Sequence, residues 1–225
     1  MEHKDSRLKV LLFDLGSILL RLNSLADIFG LQMSEEEFLQ FWIHSPNARQ
    51  YECGSIDVET FAVKVILEVD LLYDATEFLD PFKAWPGEMN PRIPELLDRI
   101  PAVYSTALLS NTNAIHCQQP GVASVLEKRI DRLFLSFATG RIKPNADAYE
   151  YARAAFRCTR EVIAFFDDNP TNVDASNSLG YNAYLTRSVD EPWGYCREAT
   201  SSRVKRGGVR YISANACNST VATRL

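Results

Sequence analysis

Short apolar runs and longer amphipathic stretches alternate along most of this chain. Lys9-Val10-Leu11-Leu12-Phe13 is the first run, and residues 8–13 read as a strand ended by the turn Asp14-Leu15-Gly16-Ser17. Runs at 103–109, 133–137, 162–166 and 181–185 read the same way. Between them lie helical periods at Pro91 to Ile100, about Pro120 to Leu126, and Thr171 to Leu179, the last closed by Gly180. Another helix opens at Pro144, a residue suited to a first helical turn. Strand–helix alternation of this kind predicts an α/β fold, a Rossmann-like parallel sheet with helices on both faces.

One stretch breaks the alternation. From Leu22 to Leu79 the periods are helical and no strand is evident. Ser34-Glu35-Glu36-Glu37 ahead of Phe38, Leu39, Phe41 and Trp42 is a capped helix start, and Asp57-Val58-Glu59-Thr60 ahead of Phe61, Val63, Val65, Ile66 and Val69 is a second. The pattern predicts a helical cap over 22–85, inserted after the first strand of an α/β core formed by 1–21 and 86–190. After about Ser188 the pattern decays. Residues 197–225 carry Arg197, Arg203, Lys205, Arg206, Arg210 and Arg224 against a single Glu198, among many Ser, Thr and Gly. A basic arm for an acidic partner is one reading of 191–225; a flexible tail is the stronger one, since so few apolar groups cannot offset the entropy of ordering.

Composition narrows the function classes. With 225 residues, 46% of them hydrophobic, the chain can bury one good core and a modest second lobe. A net charge of −5 gives no reason to expect nucleic acid as a partner. No run of about 18 apolar residues offers a membrane span, and the N-terminal segment lacks the apolar centre of a secretion signal. The five cysteines (Cys53, Cys117, Cys158, Cys196 and Cys217) are scattered without CxxC spacing, which favours reduced thiols in a cytoplasmic protein over a zinc site.

The chemistry gathers at the predicted strand ends. The 162–166 run delivers Asp167-Asp168, two like charges that repel and that a divalent cation commonly offsets. The first run delivers Asp14. In open α/β sheets ligands bind beyond the carboxyl ends of the strands, so these aspartates can meet though far apart in sequence. Asp14 alone would be weak evidence, because an Asp after a strand is often a turn cap. Its company raises the odds: Ser110 follows Ala107-Leu108-Leu109, and Lys143 stands just before Pro144. A carboxylate nucleophile, a hydroxyl donor, a cation and a metal ligand at one sheet edge form a set suited to phosphoryl transfer.

On these residues the chain resembles the haloacid dehalogenase-like hydrolase superfamily. The four motifs are Phe13-Asp14-Leu15-Gly16-Ser17-Ile18-Leu19, Leu108-Leu109-Ser110-Asn111-Thr112-Asn113, Gly140-Arg141-Ile142-Lys143-Pro144 and Phe165-Phe166-Asp167-Asp168-Asn169-Pro170-Thr171-Asn172. The closest branch is that of bacterial sugar-phosphate phosphatases, such as those acting on α-glucose-1-phosphate, which also carry counterparts of Tyr51-Glu52-Cys53-Gly54-Ser55-Ile56 and of His116. The likeness covers about residues 8–187. It implies a magnesium-dependent phosphatase of small phosphate monoesters that works through an aspartyl-phosphate on Asp14. It implies Ser110, Asn111 and His116 as substrate contacts, and Ser110 and Lys143 as catalytic partners of Asp14. Magnesium would be held by Asp14, the Gly16 carbonyl and Asp168, with Asp167 and Asn172 as further ligands or as partners of the ligands.

One position departs from the superfamily. Most of its phosphatases carry a second Asp two residues after the nucleophile, as general acid and base, and here that position is Gly16. Either the position needs a positive φ or close backbone approach, or another group covers the lost function. His116 is one substitute, although its plainer role is to contact substrate or cap at the site entrance. Arg49, Tyr51 and Glu52 precede a Gly54 turn and either face the substrate or support that turn. Trp42, Phe82 and Trp85 read as core. Two other functions compete: a 2-haloacid dehalogenase, which the paired Asp167-Asp168 argues against, and a catalytically weak metal- or phosphate-binding protein, for which Gly16 would be the signature.

Overall fold

The computed structural model describes residues 8–186 apart from 17, 32, 120–121 and 123–129. In chain order its strands are β1 (Val10–Phe13), β2 (Leu20–Leu22), β3 (Pro86–Met89), β4 (Ser105–Ser110), β5 (Arg132–Leu135), β6 (Ile163–Asp167) and β7 (Asn182–Leu185). Five of these make one sheet in the order β5-β4-β1-β6-β7, every pairing parallel. The five expected strands are thus present, their ends shifted by one or two residues.

Alternation along the buried strands explains why helices cover both faces. Leu11, Phe13, Leu108, Ala164 and Phe166 point to one side, where they pack with Ile93, Leu96 and Leu97 of helix α6 (Ile93–Asp98). Val10, Leu12, Ala107, Leu109, Ile163 and Phe165 point to the other and meet Ala148, Tyr149 and Ala152 of the helix Ala146–Phe156. With both faces covered, a strand becomes a continuous apolar run, as β1 and β6 are. From β1 the chain builds outward through β4 and β5, then returns to the other side of β1 with β6 and β7. The reversal lies between β1 and β6, and Asp14 and Asp167 sit at that point.

Between β2 and β3 the chain leaves the sheet for a block of helices: α1 (Leu25–Phe29), α2 (Glu35–His44), α3 (Pro46–Glu52), α4 (Val58–Val69) and α5 (Ala75–Lys83). Both expected starts are capped. Ser34 and Glu37 form a reciprocal capping box, and the Asp57 carboxylate accepts from the Thr60 N–H. The block has its own core, in which Phe61 stacks on Tyr51 at 4.2 Å and Phe29 on Phe78 at 4.9 Å. Sequence periodicity shows no strands here, yet β2 and β3 pair antiparallel at the base of the block, Leu20 opposite Met89 and Leu22 opposite Pro86. Asn23 fastens the same base, its N–H donating to the Trp85 carbonyl at 3.1 Å and its side chain to the Ala84 carbonyl at 2.8 Å.

Three further expectations need correction or fall elsewhere. Pro144 does not open a helix: Asn145 is the cap and the helix begins at Ala146. The expected strand 133–137 ends early, since Ser136 already starts the helix Ser136–Thr139. Most of the expected helix near Pro120–Leu126, and the basic tail with Cys196 and Cys217, lie outside the described residues. No helix among the described residues is long and apolar enough to cross a membrane.

Candidate active site

The ends of β1 and β6 and the loop after the helix Ser136–Thr139 bring Asp14, the Asp167-Asp168 pair and Lys143 together. Asp14 follows β1, and its N–H donates to the Phe166 carbonyl of β6 at 2.9 Å, so the two acidic strand ends are tied at the same level. Lys143 Nζ lies 2.6 Å from Asp14 Oδ1 and 2.6 Å from Asp167 Oδ2, with all three side chains largely removed from water. A lysine between two buried carboxylates is the compensation that burial requires. Burial disfavours the Lys143 ammonium, but the two carboxylates outweigh it and hold its pKa above the usual lysine range. For Asp14 burial is the strongest influence; Lys143 opposes it, Asp167 and Asp168 add to it, and the carboxyl is pushed up to about 7.

The remaining partners explain how this cluster is held. Asp167 is fully buried and saturated: it accepts from the Asn169 N–H at 2.8 Å and from Asn172 Nδ2 at 3.1 Å on each oxygen, besides Lys143. Asn172 is in turn fixed by the Tyr149 hydroxyl, which donates to its carbonyl at 3.0 Å. Asp167 and Asn172 therefore form a support behind Lys143, while Asp168 is the more exposed of the pair. Asn111 clamps the backbone of Lys143, its Nδ2 donating to the Lys143 carbonyl at 3.0 Å and its Oδ1 accepting from the Lys143 N–H at 2.8 Å. That use leaves one Asn111 amide hydrogen for an anion. Ser110 is buried at the end of β4, its hydroxyl only 3.5 Å from the Asn111 carbonyl and so barely engaged.

His116 stands apart from this cluster. Its Nε2–H donates to the Phe82 carbonyl of α5 at 3.0 Å, and its Nδ1 accepts from Asn113 Nδ2 at 3.0 Å. Its ring lies 4.6 Å from Phe82 and edge-on to Trp85. Burial lowers its pKa to about 4, against the smaller opposite effect of the Phe82 bond. Both ring nitrogens are used, so His116 joins the sheet unit to the helical block instead of offering a donor to substrate. Tyr51 is likewise buried within the block, and Trp42, Phe82 and Trp85 belong to its core.

The departure at Gly16 has a definite local meaning. Gly16 is not among the residues with positive φ, and a Cβ there would meet only Asp14 Oδ2 at 3.4 Å and Leu22 Cδ1 at 3.5 Å. Neither backbone conformation nor space demands glycine, and the positive-φ reason offered by the sequence does not hold. Sequence reasoning also missed Ser136, whose hydroxyl donates to the Thr112 carbonyl and accepts from the Thr112 N–H, locking the loop after β4 to the end of β5. No sequence signal marks a clasp made across 24 residues.

The donor set suits a hard divalent cation. Among the described residues no hydrogen bond is made to Asp14 Oδ2 while Oδ1 is taken by Lys143, and Asp167 and Asp168 both act on the same carboxyl. As it stands, no group of three or more His, Cys, Asp or Glu among the described residues is closed around a common point.

No protein-family model matches the chain. Its fold is that of enzymes of the haloacid dehalogenase (HAD) family. A HAD-family enzyme from Bacteroides thetaiotaomicron superposes with a TM-score of 0.67 at 22% identity, over 84% of this chain and 97% of that one. A predicted HAD-like hydrolase from Porphyromonas gingivalis gives 0.66 at 22%, over 80% and 91%. L-2-haloacid dehalogenase from Xanthobacter autotrophicus gives 0.56 at 18%, over 78% and 76%. The Bacteroides enzyme is also known in complex with magnesium and inorganic phosphate.

Proposed function

We propose that the chain is a HAD-type hydrolase, and specifically a magnesium-dependent phosphatase of small phosphate monoesters, with sugar phosphates the leading class. The observation that carries this reading is Lys143 held between Asp14 and Asp167 at the sheet's switch point. The magnesium and phosphate bound by the Bacteroides relative support it. A magnesium ion held by Asp14, the Gly16 carbonyl and Asp168 would offset the charge of the carboxylates and of the phosphoryl oxygens. Asp14 attacks phosphorus as the ester oxygen departs, giving an aspartyl-phosphate that water then hydrolyses. Lys143 opposes the upward pressure of burial on Asp14 and neutralises charge on the transferring group. Ser110 and the remaining Asn111 hydrogen bind phosphate oxygens. The helical block acts as the cap, and His116 fixes its position through Phe82.

The test is a substrate screen. Aryl phosphates and sugar phosphates should release phosphate, and 2-chloropropionate should release no halide. Halide release without phosphatase activity would install the dehalogenase reading instead. Turnover of neither class would point to a binding protein.

A further inference from the structure

Helix α3 ends at Glu52, and the turn after it is pressed onto the sheet unit. Gly54 in that turn has φ +68°, and a Cβ on it would lie 2.5 Å from the Phe137 carbonyl. Phe137 belongs to the helix Ser136–Thr139, which leads through Gly140 to Lys143. The close approach brings Glu52 within Coulomb reach of Lys143, the lysine that is bonded to Asp14. Glu52 is half-buried. Its Oε1 accepts from Trp42 Nε1 at 3.1 Å, and no hydrogen bond to Oε2 is made by another described residue. It is thus a carboxyl group anchored on one oxygen, with the other uncommitted among the described residues. His116, the other titratable group at the junction, has both nitrogens occupied.

We infer that Glu52 is the proton donor and acceptor for the reaction at Asp14, replacing from the helical block the carboxyl group that Gly16 lacks. The inference rests on the phosphatase reading. As an Asp14 oxygen bonds to phosphorus and the ester P–O bond breaks, the proton on Glu52 Oε2 passes to the leaving oxygen, which departs as a neutral alcohol. The resulting Glu52 carboxylate then takes a proton from the attacking water as the Asp14–phosphorus bond breaks, giving hydrogen phosphate and restoring both carboxyl groups. The charged or titratable groups that act on Glu52 are Arg49 on its own helix, neighbouring Cys53, and Lys143. Burial, the strongest influence, pushes Glu52 up to about 7 against the Trp42 hydrogen bond, Arg49 and Lys143, so it keeps a proton where an ordinary carboxyl has lost it.

The test compares esters that differ in their need for that proton. A sugar 6-phosphate must leave as an alcohol, whereas nitrophenolate leaves from 4-nitrophenyl phosphate unprotonated. In Glu52→Gln, kcat/KM for the sugar ester should fall about 10²-fold or more while that for the aryl ester stays nearly unchanged. Gly16→Asp added to Glu52→Gln should restore part of the sugar-ester rate. Equal losses on both esters, or no loss on either, would overturn the assignment. If the glutamine variant folds poorly, Glu52→Asp serves: keeping a carboxyl, it should hold the ratio of the two rates closer to wild type, and a ratio as skewed as in a variant lacking the carboxyl would count against Glu52. A wild-type protein inactive on both esters would overturn the phosphatase reading itself, so the two failures are told apart.

Discussion

As the proposed nucleophile, Asp14 would carry the most demanding role of any side chain here, because it would have to be ionised in a place that burial makes hostile to charge. Lys143 is what makes this possible, so changes at either residue should be severe and distinguishable. Asp14→Asn should abolish phosphate release while leaving Tm close to wild type or above it, since the amide relieves repulsion from Asp167 and Asp168. Steady-state phosphate release and thermal melting check both parts, and appreciable turnover in the variant would show that Asp14 is not the nucleophile. Gly16 gives a rescue counterpart. Its φ is ordinary and a Cβ finds only van der Waals contact, so Gly16→Asp should fold; with Glu52 already supplying the proton it should change kcat/KM on alkyl phosphates little in the wild type and raise it in the Glu52→Gln background. Parallel rates on alkyl and aryl esters decide whether any gain tracks the leaving group. At this scale the sequence was informative about chemistry and poor about support. Asp14, Ser110 and Asp168 stand at or just past strand ends that hydrophobic runs announce, and Lys143 stands in the loop beyond the helix Ser136–Thr139. By contrast, Asn111 looks like a phosphate ligand and is largely a clamp on Lys143 across 32 residues of sequence. Such a pairing depends on tertiary closeness that no local pattern encodes.

Among elements, the joint between the helical block and the sheet unit is where small changes should have large effects. Gly54→Ala meets two obstacles at once, a positive φ and the Phe137 carbonyl at 2.5 Å, so it should cost about 1–3 kcal/mol in urea unfolding and loosen α3 from its seat. His116 adds a pH-dependent contribution. It is neutral in the fold, with its pKa lowered from 6.5 to about 4, so between these values the unfolded chain binds the extra proton and stability falls as pH falls. The effect amounts to roughly 3 kcal/mol across that window. His116→Gln should therefore lose stability at neutral pH but show a flatter decline from pH 6.5 to 4, measured by urea midpoints at each pH. An unchanged slope would show that the ring is not held neutral. The sequence revealed the long elements here and missed the short ones. Helices α2 and α4 carry caps and apolar stripes, and the five sheet strands are apolar runs. Strands β2 and β3 are only three and four residues long, and β3 begins Pro86-Gly87, a pair that reads as a turn. Helix α5 contains Pro81, which hides its period.

For the whole molecule, a parallel sheet whose order reverses between β1 and β6 creates one place where strand ends from distant parts of the chain converge. Asp14 and Asp167 share Lys143 there, Asp168 adds to the charge acting on Asp14, and among the described residues no hydrogen bond is made to Asp14 Oδ2. On the proposed function a divalent cation joins these carboxylates, and the completed site hydrolyses phosphate esters under the helical block. Phosphate release from 4-nitrophenyl phosphate, followed during exhaustive chelation and then magnesium titration, tests this claim most directly. Activity should disappear on chelation and return as magnesium is restored. Full activity in the chelated protein would contradict it.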